Sequence, residues 1–181
     1  MSINRNKVED SKSDLWYFAY GSSMDEGRLR NTYGVYPKYA EKAALHDWVL
    51  AFTKIPPAGR NWGKGILGLP NNGFRVRPGE GFSSIDHKKG GLIEGTLYRI
   101  TEEDAKILDK WEGEPGIDDN RQSIEITRKD GSKVDGYTYR SLNRVEGLKP
   151  SREYMFTMVL IATRTGLSEK YINYLANIET L

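Results

Sequence analysis

Apolar residues recur at every second position, or in short unbroken runs, through most of the first three quarters of the chain. This pattern predicts β-strands, most clearly over Leu15–Tyr20 and Gly91–Ile100. Between 35 and 54, two runs rich in aromatic and β-branched residues predict two strands joined by a turn near Asp47. A hairpin is predicted between 123 and 139, because the Asp-Gly pair in its middle is typical of a tight β-turn.

Apolar residues at helical spacing predict four helices around these strands. A short helix spans Met24 to about Asn31, and a second one begins after Thr101 and ends at Gly113. A third begins after Pro150, and a fourth is capped by Ser168. Strands predominate first and helices follow, which favours the α+β class: a small mixed or closed, β-barrel-like sheet with flanking helices.

Two stretches lack such periodicity. Residues 1–14 are polar and predict a flexible N-terminal tail, which leaves 15–181 as a single domain. The segment Pro56–Gly90 holds eight of the nineteen glycines and four of the seven prolines, and it predicts a long loop. Such loops are often functional, so this one is either a border of the active site or a surface insertion. Its large apolar side chains, which would need a partner surface, are Trp62, Phe74 and Phe82.

Composition narrows the function classes. The chain of 181 residues has no cysteine and two histidines, which argues against a disulfide scaffold, a thiolate nucleophile and a Cys- or His-rich metal site. The net charge of +2 gives no reason to expect nucleic acid or membrane partners. No apolar run has the length of a membrane span, and a cytoplasmic location is the default expectation.

The end of the first predicted strand is the first candidate site. There the run Tyr20-Gly21-Ser22-Ser23-Met24 leads from a strand into a turn at a helix start. The unpaired backbone N–H groups of such a turn suit a carboxylate or a developing oxyanion. A turn with a purely structural role has the same composition, so this pattern alone does not decide.

The second candidate is Glu112, at the end of the second helix in the run Leu-Asp-Lys-Trp-Glu-Gly. Its acidic and apolar neighbours would both disfavour the charged carboxylate, which suits a general base near neutral pH. Asp109 is a competing candidate three residues earlier, and its expected role is to satisfy nearby backbone N–H groups. A solvated glutamate at a helix end is the alternative for Glu112.

Taken together, these segments resemble the γ-glutamylcyclotransferase (AIG2-like) family. The resemblance rests on Phe18-Ala19-Tyr20-Gly21-Ser22-Ser23, on Gly95-Thr96-Leu97-Tyr98, on Leu108-Asp109-Lys110-Trp111-Glu112-Gly113 and on Pro150-Ser151-Arg152-Glu153-Tyr154. It implies a β-barrel-like core with flanking helices, no cofactor, and cyclisation of a γ-glutamyl compound to 5-oxoproline. Catalysis would fall to Glu112, and substrate binding to Tyr20, Gly21, Ser22, Ser23, Met24 and Tyr154.

Two departures from the family pattern leave alternatives open. Ser23 stands where the family has an asparagine, and Asn120-Arg121 stand near the place of a family tyrosine. The alternatives are a non-catalytic module that binds a small molecule, and a specialised cyclotransferase that acts on a biosynthetic intermediate. The leaving group is not readable from these residues, and for the oligomeric state a homodimer is one expectation.

Overall fold

The five strands of the protein close into a small β-barrel. The computed structural model describes residues 14–55, 77–112 and 119–181. Its strands are β1 (Asp14–Ala19), β2 (Tyr39–Lys54), β3 (Phe82–Thr101), β4 (Asp119–Arg128) and β5 (Lys133–Ser141). They neighbour one another in the order β1-β3-β2-β4-β5, and β5 returns to pair in parallel with β1, whereas all the other neighbouring pairs are antiparallel. The predicted closed sheet of the α+β class is confirmed.

Four helices accompany the barrel: α1 (Glu26–Arg28), α2 (Glu102–Glu112), α3 (Arg152–Thr165) and α4 (Glu169–Ala176). Around α1, the predicted helix is in fact three short helical segments that together cover Ser22 to Tyr33. Asp25 separates the first from α1, because its backbone is extended and its side chain caps α1 by accepting a hydrogen bond from the Arg28 N–H, at 2.9 Å. As predicted, α3 ends at Gly166 with a left-handed backbone, and Ser168 caps α4.

The strand β2 differs from the prediction of two strands and a turn. It runs unbroken past Asp47, where the pairing with β3 shifts by three residues, from His46 opposite Leu92 to Trp48 opposite His87. Asp47 has a φ of 64°, and its carboxylate accepts a hydrogen bond from the Gly90 N–H at 2.7 Å. The residue that suggested a turn therefore lies at a bulge, where three extra residues of β3 are accommodated between two continuous strands.

The strand β3 also corrects the prediction of a loop over Pro56–Gly90. It begins at Phe82, nine residues before the predicted strand start, so the last part of that segment pairs with β2. Phe82 is only 3% exposed and packs edge-on against Tyr154, at 5.2 Å between ring centroids. Residues 56–76, with Trp62 and Phe74, lie outside the described residues.

One hydrophobic core joins the barrel to α2, α3 and α4. Its fully buried side chains include Phe18, Leu45, Ile93, Leu97, Leu108 and Met158. The first described residue, Asp14, already belongs to β1, and its carboxylate lies 3.0 Å from the buried Arg99 guanidinium. The rest of the predicted N-terminal tail lies outside the described residues. Within the described parts of the chain, no helix has the length and apolar character that crossing a membrane requires.

Candidate active site

Glu112 is the last residue of α2, and the position of that helix is fixed at its start. Thr101 and Asp104 form a reciprocal cap: the Asp104 N–H donates to the Thr101 hydroxyl, and the Thr101 N–H donates to the Asp104 carboxylate, both at 3.1 Å. Leu108, 1% exposed, anchors the helix in the core. The helix therefore carries Glu112 to a defined place beside the barrel.

The carboxylate of Glu112 pairs with a lysine from the barrel. Lys54 Nζ lies 2.9 Å from Glu112 Oε2, with side-chain exposures of 6% and 20%. Lys54 is the last residue of β2 and pairs with Phe82, the first residue of β3. The sequence reasoning missed this lysine, because a charged residue at the end of a strand ordinarily lies in solvent.

The sequence predicts acidic neighbours around Glu112, and the structure adds a cation that the sequence did not indicate. A cation is in direct contact with its carboxylate. Of the acidic residues in that prediction, Glu114 and Asp118 lie outside the described residues. Asp109 is turned toward a different cation.

Asp109 belongs to a separate network on the same helix. Arg121 donates two hydrogen bonds to its carboxylate, at 2.9 and 2.7 Å, and the Tyr139 hydroxyl donates a third at 2.7 Å. Burial alone would raise the pKa of Asp109, but Arg121 and Tyr139 outweigh it and hold the pKa below its usual range. The expected role of Asp109, bonding to backbone N–H groups, is therefore replaced by bonds to side chains of β4 and β5.

The predicted Gly-Ser turn follows β1 directly. Ser22–Met24 form one 3₁₀ turn, and no side chain of the described residues caps its start. The first N–H groups of a helical turn have no partner within the helix. Tyr20 precedes it, and its hydroxyl donates to the Tyr139 carbonyl at 2.7 Å, which ties the turn to β5.

Met24 has a structural place in this turn. Its side chain is 1% exposed, and its carbonyl accepts hydrogen bonds from Thr96 and Tyr98 at 3.0 and 2.7 Å. Its N–H donates to the Gly21 carbonyl at 3.0 Å. Because these bonds occupy its backbone groups, Met24 holds the turn against β3, and its own N–H is not available to a ligand.

Tyr154 reaches the same turn through Ser83. The Tyr154 and Ser83 hydroxyls are 2.7 Å apart, and a Cβ atom placed on Gly21 would lie 3.1 Å from the Ser83 hydroxyl oxygen. Glycine at position 21 therefore lets the turn approach β3 closely. Tyr154 itself is buried, in the first turn of α3, where the Ser151 hydroxyl accepts a hydrogen bond from its N–H at 3.3 Å.

Two buried phenols connect the turn with Glu112. Burial raises the pKa of Tyr17, the negative charge of Glu112 raises it further, and a hydrogen bond with the Ser23 side chain opposes both. Burial likewise raises the pKa of Tyr154, on which Lys54 and Glu112 act with opposite sign. The structure thus brings Glu112, Tyr154 and the Gly21–Ser23 turn to one place, and Lys54 joins them. Among the described residues, no group of three or more acidic or histidine side chains could hold a metal ion.

The fold defines a class of proteins. A structure described as a gamma-glutamyl cyclotransferase superposes with a TM-score of 0.70 at 20% identity, over 93% of this chain and 89% of that one. YkqA from Bacillus subtilis superposes with a TM-score of 0.69 at 22% identity, over 94% of this chain and 57% of that one. A yeast gamma glutamyl cyclotransferase specific to glutathione is more distant, with a TM-score of 0.56 at 10% identity over 90% of this chain and 94% of that one. The protein therefore has the γ-glutamylcyclotransferase-like fold.

The sequence comparisons agree with that class. The model of the AIG2-like family matches residues 92–175, a little under half of the chain. The putative gamma-glutamylcyclotransferase YkqA of Bacillus subtilis (strain 168) is 25% identical over 147 residues, which are 81% of this chain and 46% of that protein. The chain thus spans about half the length of this curated relative. The resemblance that the sequence motifs indicated is confirmed.

Proposed function

We propose that the protein cyclises a γ-glutamyl amino acid or amine to 5-oxoproline and releases the amine. The observation that carries this proposal is the contact of Glu112, the first predicted base, with Lys54, whose partner strand β3 carries Ser83 beside both Tyr154 and Gly21. The name of the relative YkqA, a putative gamma-glutamylcyclotransferase, points to the same reaction.

The reaction needs few protein groups, because the nucleophile belongs to the substrate. The α-amine attacks the γ-carbonyl carbon, a five-membered ring forms, and the bond from that carbon to the leaving nitrogen breaks. Holding the substrate in a bent conformation supplies much of the rate, since the attack is intramolecular. Backbone N–H groups of the Gly21–Ser23 turn would stabilise a carboxylate of the substrate or the carbonyl oxygen as it gains charge.

Glu112 is the proposed general acid and base. It takes a proton from the α-ammonium, which frees the amine for attack, and returns that proton to the leaving nitrogen. The attacking nitrogen loses a second proton after the ring forms, and this proton ends on the released amine or in solvent. Tyr154 closes the site and offers its hydroxyl to the substrate.

A panel of three substrates tests this proposal: γ-glutamyl-alanine, γ-glutamyl-ε-lysine and glutathione, each assayed for 5-oxoproline. We expect product from at least one, and no product from that substrate with the Glu112→Gln variant. If none of the three is turned over while one of them binds, the non-catalytic binding module is the better description. Turnover confined to a compound outside the panel would favour the specialised cyclotransferase.

A further inference from the structure

The buried Lys54 side chain is an unusual feature of this site. Lys54 is 5% exposed as a residue, and its ammonium group lies 2.9 Å from the Glu112 carboxylate. Removing a lysine ammonium from water costs free energy that one ion pair does not reliably offset. A role in stabilising the fold is therefore a weak explanation for this ion pair. Because one of its two members is the proposed base Glu112, we expect Lys54 to have a functional role.

The two charges of the pair complement the substrate that the proposed function requires. A γ-glutamyl group carries an α-ammonium and an α-carboxylate on one carbon atom. The Glu112 carboxylate suits the ammonium group of the substrate, and the Lys54 ammonium group, 2.9 Å away, suits its carboxylate. This inference rests on the proposed function. We propose that Lys54 binds the α-carboxylate of the γ-glutamyl group and that Glu112 binds its α-ammonium. The two bonds to substrate then replace the ion pair between Lys54 and Glu112.

The position of Lys54 supports this assignment. Lys54 pairs with Phe82, and the next residue, Ser83, bonds to the Tyr154 hydroxyl and lies beside Gly21. A carboxylate held by Lys54 would also be close to the donors of the turn.

Two nearby guanidinium groups pair with other acids, although the Nη1 atom of Arg144 is buried and makes no hydrogen bond within the described residues. Arg144, whose backbone bridges to that of Lys54, places its side chain 2.6 Å from Asp86. Arg121 is held by Asp109, as described above. Lys54 differs from both, because its partner Glu112 is the group that the substrate's own ammonium would engage.

The proposal makes a prediction about substrate choice. A 4-aminobutanoyl amide has the same amine and carbonyl and closes the same ring, to 2-pyrrolidinone, but lacks the α-carboxylate. The protein should therefore prefer γ-glutamyl-alanine to 4-aminobutanoyl-alanine. Because a hydrogen bond to a charged group contributes about tenfold to a hundredfold in affinity, removing Lys54 should shrink the preference by about that factor.

The experiment measures kcat/KM for both compounds, from the alanine released, in the wild type and in Lys54→Met, Lys54→Arg and Lys133→Met. The preference should fall in Lys54→Met, persist in Lys54→Arg, and stay unchanged in Lys133→Met, which removes a lysine paired with Glu125 on the exposed hairpin. The ratio of the two rates within one variant does not depend on how much of the protein is folded. If Lys54→Met does not fold, Lys54→Gln takes its place.

A wild type with no preference, or a Lys54→Met variant that loses both activities equally, would overturn the assignment. In the second case the lysine would serve the carbonyl oxygen or the fold. A binding measurement separates this result from failure of the proposed function: calorimetry with 5-oxoproline, which has the carboxylate, and 2-pyrrolidinone, which lacks it. If the wild type turns over neither substrate, tighter binding of 5-oxoproline that Lys54→Met abolishes would still support Lys54, and equal binding of the two would reject it.

Discussion

The last turn of α2 carries two carboxylates that lie in very different surroundings. Asp109 accepts three hydrogen bonds, two from Arg121 and one from Tyr139, and all come from the neighbouring strands β4 and β5. Glu112, three residues later, contacts Lys54 at the end of β2, and its charge acts on the phenols of Tyr17 and Tyr154.

The difference indicates that two carboxylates of one helix turn can have different roles, one in stability and one in the proposed reaction. A carboxylate whose oxygen atoms are held by a bidentate guanidinium and a phenol is costly to protonate and poorly placed to move a proton. A carboxylate paired with a lysine ammonium is better placed to exchange that partner for a substrate ammonium. Asp109 therefore holds the helix in place, and Glu112 is the better candidate for the base.

Replacing Glu112 by glutamine should have the largest effect on activity. The change nearly preserves shape but removes the proton acceptor, so we expect kcat to fall by about 10²- to 10⁴-fold, with the fold retained. Steady-state assays of 5-oxoproline, together with a melting curve, measure both. Glu103→Gln, on the exposed surface of α2, is the matched control and should leave kcat unchanged. If Glu112→Gln kept most of the wild-type kcat, another residue would have to be the general base.

Replacing Asp109 by asparagine should act on stability instead. Arg121 and Tyr139 would lose a charged acceptor, which costs about 1–3 kcal/mol in the free energy of unfolding. Denaturant unfolding measures this loss, and kcat per folded molecule should change far less than in Glu112→Gln. If kcat fell as strongly in both variants while stability was kept, the division between the two carboxylates would be wrong.

The pH dependence of stability sharpens the same comparison. Because the pKa of Asp109 is lowered in the folded protein, its contribution is present above the unfolded pKa of about 4 and is lost as the pH falls through the folded value. The stability difference between the wild type and Asp109→Asn should therefore be full at neutral pH and shrink in acid. Unfolding measured from pH 7 down to pH 3 tests this, and a difference that grew in acid would have the wrong sign.

Much of the fold could be predicted because its signals are local. The Thr101 and Ser168 caps and the stop at Gly166 all lie where the sequence placed them. The errors arose where strand pairing overrode local chemistry. Asp47 has the composition of a turn, yet pairing with β3 on both sides makes it a bulge, and the same pairing draws the segment from Phe82 into a strand.

The candidate site was predictable in part for the same reason. Glu112 and the Gly-Ser turn stand in short recognisable patterns, whereas Lys54 enters the site only because the barrel closes. No pattern of spacing in the sequence links Lys54 to Glu112, which lies 58 positions later. The partner of Asp109 was missed in the same way, since Arg121 reaches it from the next strand.

The segment between β2 and β3 can be tested for an effect on substrate choice. Its flanking residues Lys54 and Phe82 pair with each other, and they contact Glu112 and Tyr154 respectively. We expect that shortening the chain between 60 and 76, which leaves β3 intact, changes the ratio of kcat/KM between two γ-glutamyl substrates by about tenfold. The substrate panel measures this ratio. An equal loss on all substrates, or no loss, would indicate a segment unrelated to specificity.

Replacing Tyr154 by phenylalanine should give the smallest effect and decides whether its hydroxyl belongs to the site. The variant keeps the ring that packs on Phe82 and loses only the hydrogen bonds of the hydroxyl with the Ser83 hydroxyl and N–H, so stability should fall by about 0.5–1.5 kcal/mol. If the hydroxyl also contacts substrate, KM should rise about two- to tenfold while kcat changes little. Tyr174→Phe, on the exposed side of α4, is the control and should alter neither quantity. A KM that stayed at the wild-type value in Tyr154→Phe, with only stability lowered, would place Tyr154 with Asp109 among the residues that hold the site and would leave substrate contact to Glu112, Lys54 and the Gly-Ser turn.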